Sequence, residues 1–245
     1  MLLHWTAKGV AAWRATCTAL AALAVAAALP ASAADQFWLS QSASFMAAEP
    51  LRLTFSNTDY FRNGEHFSNE EAFSFRWTIA DGWSAGSGII FAQNLVKRTT
   101  TDDDGAELVR HHWDWSGRPT EYVALDWRGK AGDWRLFNSN RVYMYFREGR
   151  RDWVTYRNIA TVTAPALPRL PWNPRPYLTQ QIYFTDKEGF DGLDRFCQFR
   201  WAPGMRLKPV DCLYVSLYWQ YREIETKPGK WHPSTVAGLA FSLYF

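Results

Sequence analysis

The sequence predicts an all-β fold, a single antiparallel up-and-down transmembrane β-barrel formed by residues 34–245 and closed by its C-terminal strand. Three observations lead to this prediction. The end of the chain alternates in polarity with a period of two, and similar segments follow one another through the rest of the chain without a convincing helix. Aromatic residues make up 17% of the 245 residues, and Trp and Tyr favour membrane interfaces.

The C-terminal segment Pro233–Phe245 shows the alternation most clearly. Large apolar residues share one face, and small or polar residues share the other. This pattern suits a strand between lipid and a barrel interior, although an edge strand of a soluble sandwich is the alternative. The aromatic C terminus resembles the signal that the assembly machinery of bacterial outer-membrane barrels recognises. The resemblance implies that Phe241, Leu243 and Phe245 are the signal residues.

Residues 1–33 have the layout of a secretory signal peptide. Lys8 and Arg14 precede an apolar run over Thr18–Pro30, and Ala31–Ala33 fits a cleavage site, so the mature chain is predicted to begin near Ala34. A retained membrane anchor is the alternative. Without Lys8 and Arg14, 25 of the 27 basic residues remain against 24 acidic ones, so no nucleic-acid-binding surface is implied.

The candidate strands determine the predicted topology. In order they are Gln36–Met46, Pro50–Tyr60, Glu71–Ala80, Trp83–Leu95, Leu108–Trp127, Asp133–Arg147, Trp153–Thr163, Arg175–Thr185, Arg195–Leu207, Cys212–Glu223 and Pro233–Phe245. Bacterial single-chain barrels have an even number of strands. We therefore predict 10 strands by omitting the weak segment Gln36–Met46, while a split of Leu108–Trp127 near Gly117 would give 12.

The predicted connections alternate in length, as the turns and loops of such barrels do. Short turns are expected at Asp81-Gly82, Arg128–Gly132 and Lys208–Asp211. Longer polar loops are expected at Arg62–Glu70, Lys97–Glu107, Asp186–Asp194 and Glu225–His232. The Pro-rich link Ala164–Pro176 is an exception, because it falls on the short-turn side.

The second half of the chain carries more specific motifs. They are Asn140-Arg141, Tyr156–Asn158, Arg175–Leu178, Gly204, Tyr221 and Val236–Leu239. Together they resemble the bacterial family DUF2490, and the resemblance implies a small outer-membrane barrel without an established reaction. Ile159 and Gln181 depart from the family pattern, which usually has Arg and Glu there. If both face inward, the resemblance implies that one interior ion pair is missing.

With the apolar face toward lipid, polar residues of the second half would line the interior. The predicted pore-lining residues are Arg135, Arg141, Arg147, Arg200, Arg206, Tyr218 and Arg222. Such an interior can be a packed structural core or a narrow passive channel for anionic or sugar-like solutes. The same alternation would direct Asn138 and Asn140 toward lipid, which is costly, so we expect a β-bulge nearby that resets the faces.

His66 and Ser68 suggest an alternative function. The tetrapeptide from His66 to Asn69 resembles the motif of outer-membrane lipid hydrolases, in which His activates Ser. The sequence places no third catalytic member, and a loop segment is the competing interpretation. We therefore predict a barrel that is not an enzyme.

No cofactor or metal site is predicted. Adjacent His111 and His112 would point to opposite faces of a strand. The acidic loop Asp102–Asp104 lacks the spacing of a calcium loop. The expected partners are outer-membrane lipid, lipopolysaccharide and the barrel-assembly machinery. A soluble periplasmic ligand-binding protein is a third hypothesis, and no obligate protein partner is implied.

Cys197 and Cys212 test the predicted register. If the hairpin turns at Lys208–Asp211, the two thiols are offset by about nine residues, or ~30 Å along the strand, and cannot bond. A turn at Ala202–Met205 would place them nearly opposite each other. We predict the first arrangement, which requires Pro203 to lie at a bulge or near a rim.

Overall fold

The computed structural model describes residues 34–101, 107–115, 119–146, 152–186, 196–227 and 229–245. For residues 96–101, 107–115 and 226–227 it describes the main chain only. The predicted signal peptide and Arg147 lie outside the described residues. No helix in the described part of the chain is long and apolar enough to cross a membrane.

The described residues form twelve strands. They are β1 Gln36–Ala48, β2 Leu51–Arg62, β3 Glu65–Ala80, β4 Trp83–Thr101, β5 Glu107–Trp115, β6 Thr120–Ala131, β7 Trp134–Tyr145, β8 Trp153–Thr163, β9 Arg175–Thr185, β10 Phe196–Val210, β11 Leu213–Lys227 and β12 Lys230–Tyr244. They belong to one sheet, in which β3 also pairs with β4 and thereby closes a barrel. The predicted all-β barrel is therefore confirmed.

Eleven strand positions surround this barrel. Strand β4 pairs with β5 through Gln93–Thr101 and with β6 through Trp83–Ile90. Strands β5 and β6 thus occupy successive halves of one position. The split predicted near Gly117 occurs, but it adds no position to the circumference.

The favoured count of 10 is wrong, because the omitted first segment is a strand that closes the barrel. The alternative count of 12, which keeps this segment and splits Leu108–Trp127, matches the twelve strands of the sheet, although they fill eleven positions. Strand β1 pairs antiparallel with β2 and parallel with β12, in register from Gln36 opposite Val236 to Ser44 opposite Tyr244. A closed sheet with an odd number of positions must contain one parallel pairing. The even-number rule led to the omission of β1, whose own alternation is weak.

Two of the predicted long loops are tight turns. Strands β2 and β3 are joined by Asn63 and Gly64, both with positive φ (52° and 81°), as a two-residue hairpin requires. Strands β11 and β12 are separated by two residues, and Gly229 has a φ of 76°. The polar residues predicted as loops are instead strand residues near the turns. We call this end of the barrel the mouth.

At the opposite end, which we call the short-turn end, the turns at Asp81-Gly82 and Lys208–Asp211 are close to their predicted places, with Gly82 at a φ of 75°. The Pro-rich link also lies at this end. Ala164 N donates to Pro176 O at 2.8 Å, and Lys208 N donates to Trp172 O at 2.8 Å, which joins the link to β10.

The hairpin of β10 and β11 confirms the predicted separation of the cysteines. Cys197 lies at the start of β10 and Cys212 just beyond its end, too far apart for a disulfide between them. The prediction for Pro203 is wrong, because it pairs in register with Leu178 in the middle of the strand. Pairing with β11 is interrupted at Ala202 and Pro203 and resumes at Gly204 in the same register. The strand therefore accommodates the missing backbone N–H of Pro203 without a bulge.

The outward face of the barrel is largely apolar. The alternation predicted for Glu71–Ala80 and Pro233–Phe245 is confirmed by the registers of β3 and β12. Exposed outward side chains include Phe55 (53%), Phe75, Trp77, Ile79 (59%), Trp83, Val123, Leu125, Val162, Leu178, Trp201, Trp231 and Leu243. Small residues such as Val215 are buried among larger neighbours on this face.

Candidate functional site: the barrel interior

The polar face of the strands is the interior, because side chains from strands that are not neighbours contact one another there. Arg76 of β3 forms an ion pair with Asp126 of β6, and β4 lies between those strands. Arg200 of β10 lies over the Trp38 ring of β1 at 5.4 Å. The alternation of the sequence therefore directs polar residues inward on every side.

A hydrogen-bond network occupies the interior between β7, β8 and β9. The Arg157 guanidinium donates to Tyr143 OH at 3.1 Å and to Gln181 Oε1 at 2.8 Å. Tyr183 OH donates to the same Gln181 oxygen at 2.9 Å, and Arg141 Nη1 donates to Tyr143 OH at 3.4 Å. Tyr143 and Tyr183 are 5% and 8% exposed, so this region is packed rather than water-filled.

Ile159 and Gln181 do face inward, and they lie opposite each other in the register of β8 and β9. Ile159 is buried, and the Gln181 amide oxygen accepts from both Arg157 and Tyr183. The ion pair that the family resemblance leads one to expect at these two positions is thus absent. A neutral amide serves as hydrogen-bond acceptor for the buried guanidinium instead.

A second group lies toward the mouth and is centred on Trp38. Arg200 and Arg222 each lie over the Trp38 ring at 5.4 Å, a distance typical of cation–π contacts. Tyr60 packs edge-on against the same ring at 5.1 Å and donates its hydroxyl to Glu70 Oε2 at 2.5 Å. These contacts join β1, β2, β3, β10 and β11 across the interior.

A third group lies toward the short-turn end. Asp126 is fully buried and forms an ion pair with Arg76. Arg52 lies directly opposite Arg76 in the register of β2 and β3, and its guanidinium lies over the Tyr244 ring at 5.7 Å. Arg128 lies over the Phe137 ring at 5.5 Å. Asp126 is thus the carboxylate that offsets this cluster of cations.

Glycines make room for tyrosine rings that lie flat against the inner wall. Tyr218 is directly opposite Gly204 on β10 and Gly238 on β12. A Cβ at Gly238 would lie 1.9 Å from the Tyr218 ring, and a Cβ at Gly88 would lie 2.6 Å from the Tyr122 ring. The sequence thus pairs the smallest residue with a large one, and the interior is filled.

The charge of the inward face is strongly unbalanced. Among the described side chains of the strands, its carboxylates are Glu65, Glu70 and Asp126. Its cations include Arg52, Arg62, Arg76, Arg128, Arg141, Arg157, Arg175, Arg200, Arg206 and Arg222. Tyrosine hydroxyls and aromatic faces accommodate many of these guanidinium groups, and an anion would be attracted to the interior.

The structure brings most of the predicted pore-lining residues to the inward face. Arg141, Arg200, Arg206, Tyr218 and Arg222 lie there, and Arg206 lies over the Tyr177 ring at 5.6 Å. Arg135 shares this face by register but is exposed near the short-turn end, opposite Lys130 and Thr163. Whether these residues line a pore stays a prediction.

Sequence reasoning did not single out several residues that carry most of the interior contacts. They are Trp38, Tyr60, Glu70, Arg76, Asp126 and Arg157. Trp38 was missed because its strand was omitted. Glu70 was missed because it was assigned to the predicted loop Arg62–Glu70. The others lie on the polar faces of predicted strands, so the same alternation could have identified them.

The predicted β-bulge near Asn138 and Asn140 is wrong, because β7 pairs with β6 and β8 without a register shift. Both asparagines face outward. Asn140 Nδ2 donates to Asn138 Oδ1 at 3.0 Å, and Asn140 Oδ1 accepts from Tyr156 OH at 2.6 Å and from Asn158 Nδ2 at 2.9 Å. Mutual hydrogen bonds lower the cost of this placement, which sequence reasoning had not considered.

The structure does not bring Ser68 and His66 together. Strand β3 includes both residues, so the predicted loop is wrong, and the pairing with β2 shifts between Tyr60 and Phe61. This bulge turns His66 outward, where Nε2 lies 3.0 Å from Asp59 Oδ1. Ser68 Oγ points inward and donates to Asn94 Oδ1 at 3.0 Å. Without the bulge, residues two apart would have shared a face.

The predicted assembly-signal residues lie on the outward face at the end of β12, and Phe245 is 74% exposed. Its main chain also belongs to the parallel seam with β1. Phe245 N donates to Ser44 O at 2.9 Å, and its carbonyl accepts from Met46 N at 3.4 Å. Recognition of these residues by an assembly machinery stays a prediction.

Within the described part of the chain, no group of three His, Cys, Asp or Glu side chains is placed to hold a metal ion. The acidic loop Asp102–Asp104 lies outside the described residues, as do the side chains of His111 and His112.

Comparison with protein-family models finds no match, so the resemblance to DUF2490 stays a prediction. No curated protein matches the chain. Among solved structures, it is similar to the β domain of the Bordetella autotransporter BrkA, at 11% sequence identity and a TM-score of 0.40. The similarity covers 77% of this chain and 82% of that one.

Proposed function

We propose that this chain is a bacterial outer-membrane β-barrel whose interior is closed by its own side chains, a structural barrel rather than an open pore. The observation that carries the proposal is the set of contacts across the interior, above all Arg200 and Arg222 against the Trp38 ring. The DUF2490-like motifs and the predicted signal peptide are consistent with this function.

The outward face supports a membrane location. Soluble monomers rarely expose contiguous apolar patches larger than a few hundred Å², whereas outward apolar residues here surround the barrel. Aromatic residues continue this surface at the mouth, where Phe196 contacts both Phe184 at 5.8 Å and Trp231 at 5.4 Å. Aromatic belts of this kind mark the interface between lipid and water.

The width of the barrel explains why its interior requires large residues. About eight strands leave a space that ordinary side chains fill, whereas barrels of 16–18 strands contain a water channel. Eleven positions give an intermediate width. The long side chains of Arg, Tyr and Trp can extend across such a space, and the buried network around Arg157 occupies its middle.

Single-channel conductance in planar bilayers tests the proposal directly. The refolded barrel is added to bilayers, with insertion verified by its heat-modifiable mobility on gels. We expect no steady conductance from the unaltered chain. An Arg200→Ala/Arg222→Ala double variant removes the side chains that lie against Trp38 and is expected to conduct. An Arg135→Ala variant, which alters an exposed arginine outside this contact, serves as the control.

A narrow channel for anions is the second candidate, because the inward face carries many more cations than carboxylates. In that case the unaltered chain would conduct steadily, and an Arg141→Glu/Arg200→Glu variant would shift the ion preference toward cations. This result would show that the barrel is an open pore and would overturn the proposal of a closed barrel. Recovery of the chain in the soluble fraction without detergent would instead favour the soluble periplasmic protein.

A further inference from the structure

A pocket of about 340 Å³ opens at the mouth between β1, β2, β11 and β12. Its lining brings together the potential cations Arg62, Arg222 and His232. The other lining residues are Asp35, Gln36, Asn63, Ile224, Pro233 and Ser234. Pockets that bind small molecules have volumes of roughly 300–1,000 Å³, so this pocket is large enough for such a ligand.

The positive charges at the pocket repel one another. Arg222 lies directly opposite Arg200 in the register of β10 and β11, and Arg62 lines the same pocket as Arg222. Arg222 and Arg200 also lie against the same Trp38 ring. Like charges that lie close together in a partly buried site raise the free energy of the folded protein, and a bound ion of opposite charge lowers it again.

Of the nearby carboxylates, Asp35 and Glu70 have other partners, and Glu65, opposite Arg62 in the register of β2 and β3, is exposed and forms no ion pair with a described side chain. Asp35 Oδ2 accepts from Thr235 N at 2.7 Å and from Thr235 Oγ1 at 3.1 Å. Glu70 accepts from Tyr60. Among the ion pairs of the described side chains, none includes Arg62, Arg200 or Arg222. The cluster therefore has room for an external anion.

We propose that this pocket binds a phosphorylated sugar, with the phosphate held by Arg62 and Arg222. Guanidinium groups bind phosphate through two parallel hydrogen bonds. The pocket equals about eleven water volumes of ~30 Å³ each, which is more than a bare phosphate fills. The lining also includes Gln36 and Asn63, whose side-chain amides are of a type that hydrogen-bonds sugar hydroxyl groups. The Gln36 amide oxygen already accepts from Trp38 Nε1, so its NH₂ group is the donor left for a ligand.

Calorimetric titration of the full chain in detergent tests the proposal. The probe is glucose 6-phosphate, with glucose and inorganic phosphate as separate controls. We expect glucose 6-phosphate to bind more tightly than inorganic phosphate, and glucose to give no measurable heat. Arg62→Gln and Arg222→Gln are each expected to weaken binding about tenfold, since each removes a charged hydrogen-bond donor.

Arg206→Gln is the matched control variant, because Arg206 is an inward arginine outside the pocket lining. We expect its affinity for glucose 6-phosphate to stay within about twofold of the unaltered chain. Arg222→Lys retains the charge without the fork of donors and should bind with intermediate affinity. Heat-modifiable mobility and β-sheet circular dichroism show that each variant is folded.

The phosphorylated sugar can be a free solute or the headgroup of a membrane lipid. A parallel titration uses mixed micelles that contain lipid A, a disaccharide lipid with two phosphates. If lipid A gives binding heat and glucose 6-phosphate does not, and the Arg62→Gln variant loses that heat, the pocket binds a lipid headgroup. Heat from glucose 6-phosphate assigns it to free solutes.

Absence of binding to both probes by a folded chain overturns the proposal. An equal loss of affinity in Arg206→Gln does so too, because it would mean that the general charge of the interior, and not the pocket, attracts the ligand. Since the titrations use detergent, a negative result would leave the proposed membrane function standing. Failure of the barrel to insert in bilayers would equally leave the binding result intact.

Discussion

Tyr218 lies flat over Gly238, so closely that a Cβ added to the glycine would be 1.9 Å from the phenol ring. The two residues lie directly opposite each other on β11 and β12. Any side chain at position 238 must therefore displace the ring from the inner wall, and the displaced ring would meet Gly204 and its neighbours on the other side.

We expect Gly238→Ala to destabilise the barrel by about 1–3 kcal/mol, the usual cost of overpacking a filled interior. Urea unfolding followed by tryptophan fluorescence in lipid vesicles measures the change. If the ring is the cause, the same substitution made in a Tyr218→Ala background should cost much less. Equal costs in both backgrounds would contradict this explanation.

Asp126 is the buried partner of Arg76 at the short-turn end, where Arg52 and Arg128 also lie. We expect Asp126→Asn to destabilise the barrel by up to about 3–5 kcal/mol, because the half-buried Arg76 is left without its counter-charge. Unfolding in urea measures the effect. The double variant Arg76→Met/Asp126→Leu removes both charges and should be less destabilised than Asp126→Asn. If the double variant is the less stable of the two, the ion pair itself contributes net stability.

The bulge at Phe67 separates Ser68 from His66, so Ser68 has no adjacent base. We expect Ser68→Ala to leave any phospholipid hydrolysis by the purified barrel unchanged, as measured by release of free fatty acid in mixed micelles. The His66→Ala variant is expected to behave in the same way. Loss of an activity present in the unaltered chain would revive the hydrolase hypothesis.

Cys197 and Cys212 lie near opposite ends of β10, and Cys212 is exposed whereas Cys197 is half-buried. We expect a maleimide to modify Cys212 faster than Cys197 in the folded barrel, with the two sites distinguished by Cys197→Ser and Cys212→Ser variants. Mobility on gels should not depend on a reducing agent. A shift that disappears in either single variant would show a disulfide between them and would contradict the β10–β11 register.

Much of the fold follows from the period-two pattern, since alternation alone predicted most strands and their inward faces. Three features did not follow. The omitted β1 combines Phe37 and Leu39 with small polar residues such as Ser40, and its pattern is too weak to outweigh a rule about even strand counts. The tight turn at Asn63-Gly64 was obscured because polar strand residues look like a loop.

The third feature is the bulge at Phe67. Alternation assigns faces only while the register is unbroken, and a single extra residue reversed the relation of His66 to Ser68. At Asn138 and Asn140 the error had the opposite sense: a bulge was predicted where none exists. Polar side chains there satisfy one another through Asn158 and Tyr156, which a strand-by-strand analysis cannot detect because the partners come from different strands.

The interior network could be predicted in composition but not in connectivity. An Arg- and Tyr-rich face was evident, yet the pairing of Arg76 with Asp126 across β4 depends on the small residues Ser84 and Gly86 between them. Likewise, contacts to Trp38 need the curvature that closes the sheet.

The parallel pairing of β1 with β12 gives the barrel a direction. Both strands run from the mouth to the short-turn end, so Gln36 and Tyr244 are at opposite ends of the wall. An epitope placed just before Asp35 and one placed after Phe245 would then be exposed on different sides of any membrane that the barrel crosses. A barrel with this seam would start its first strand on one side of the membrane and end its last strand on the other.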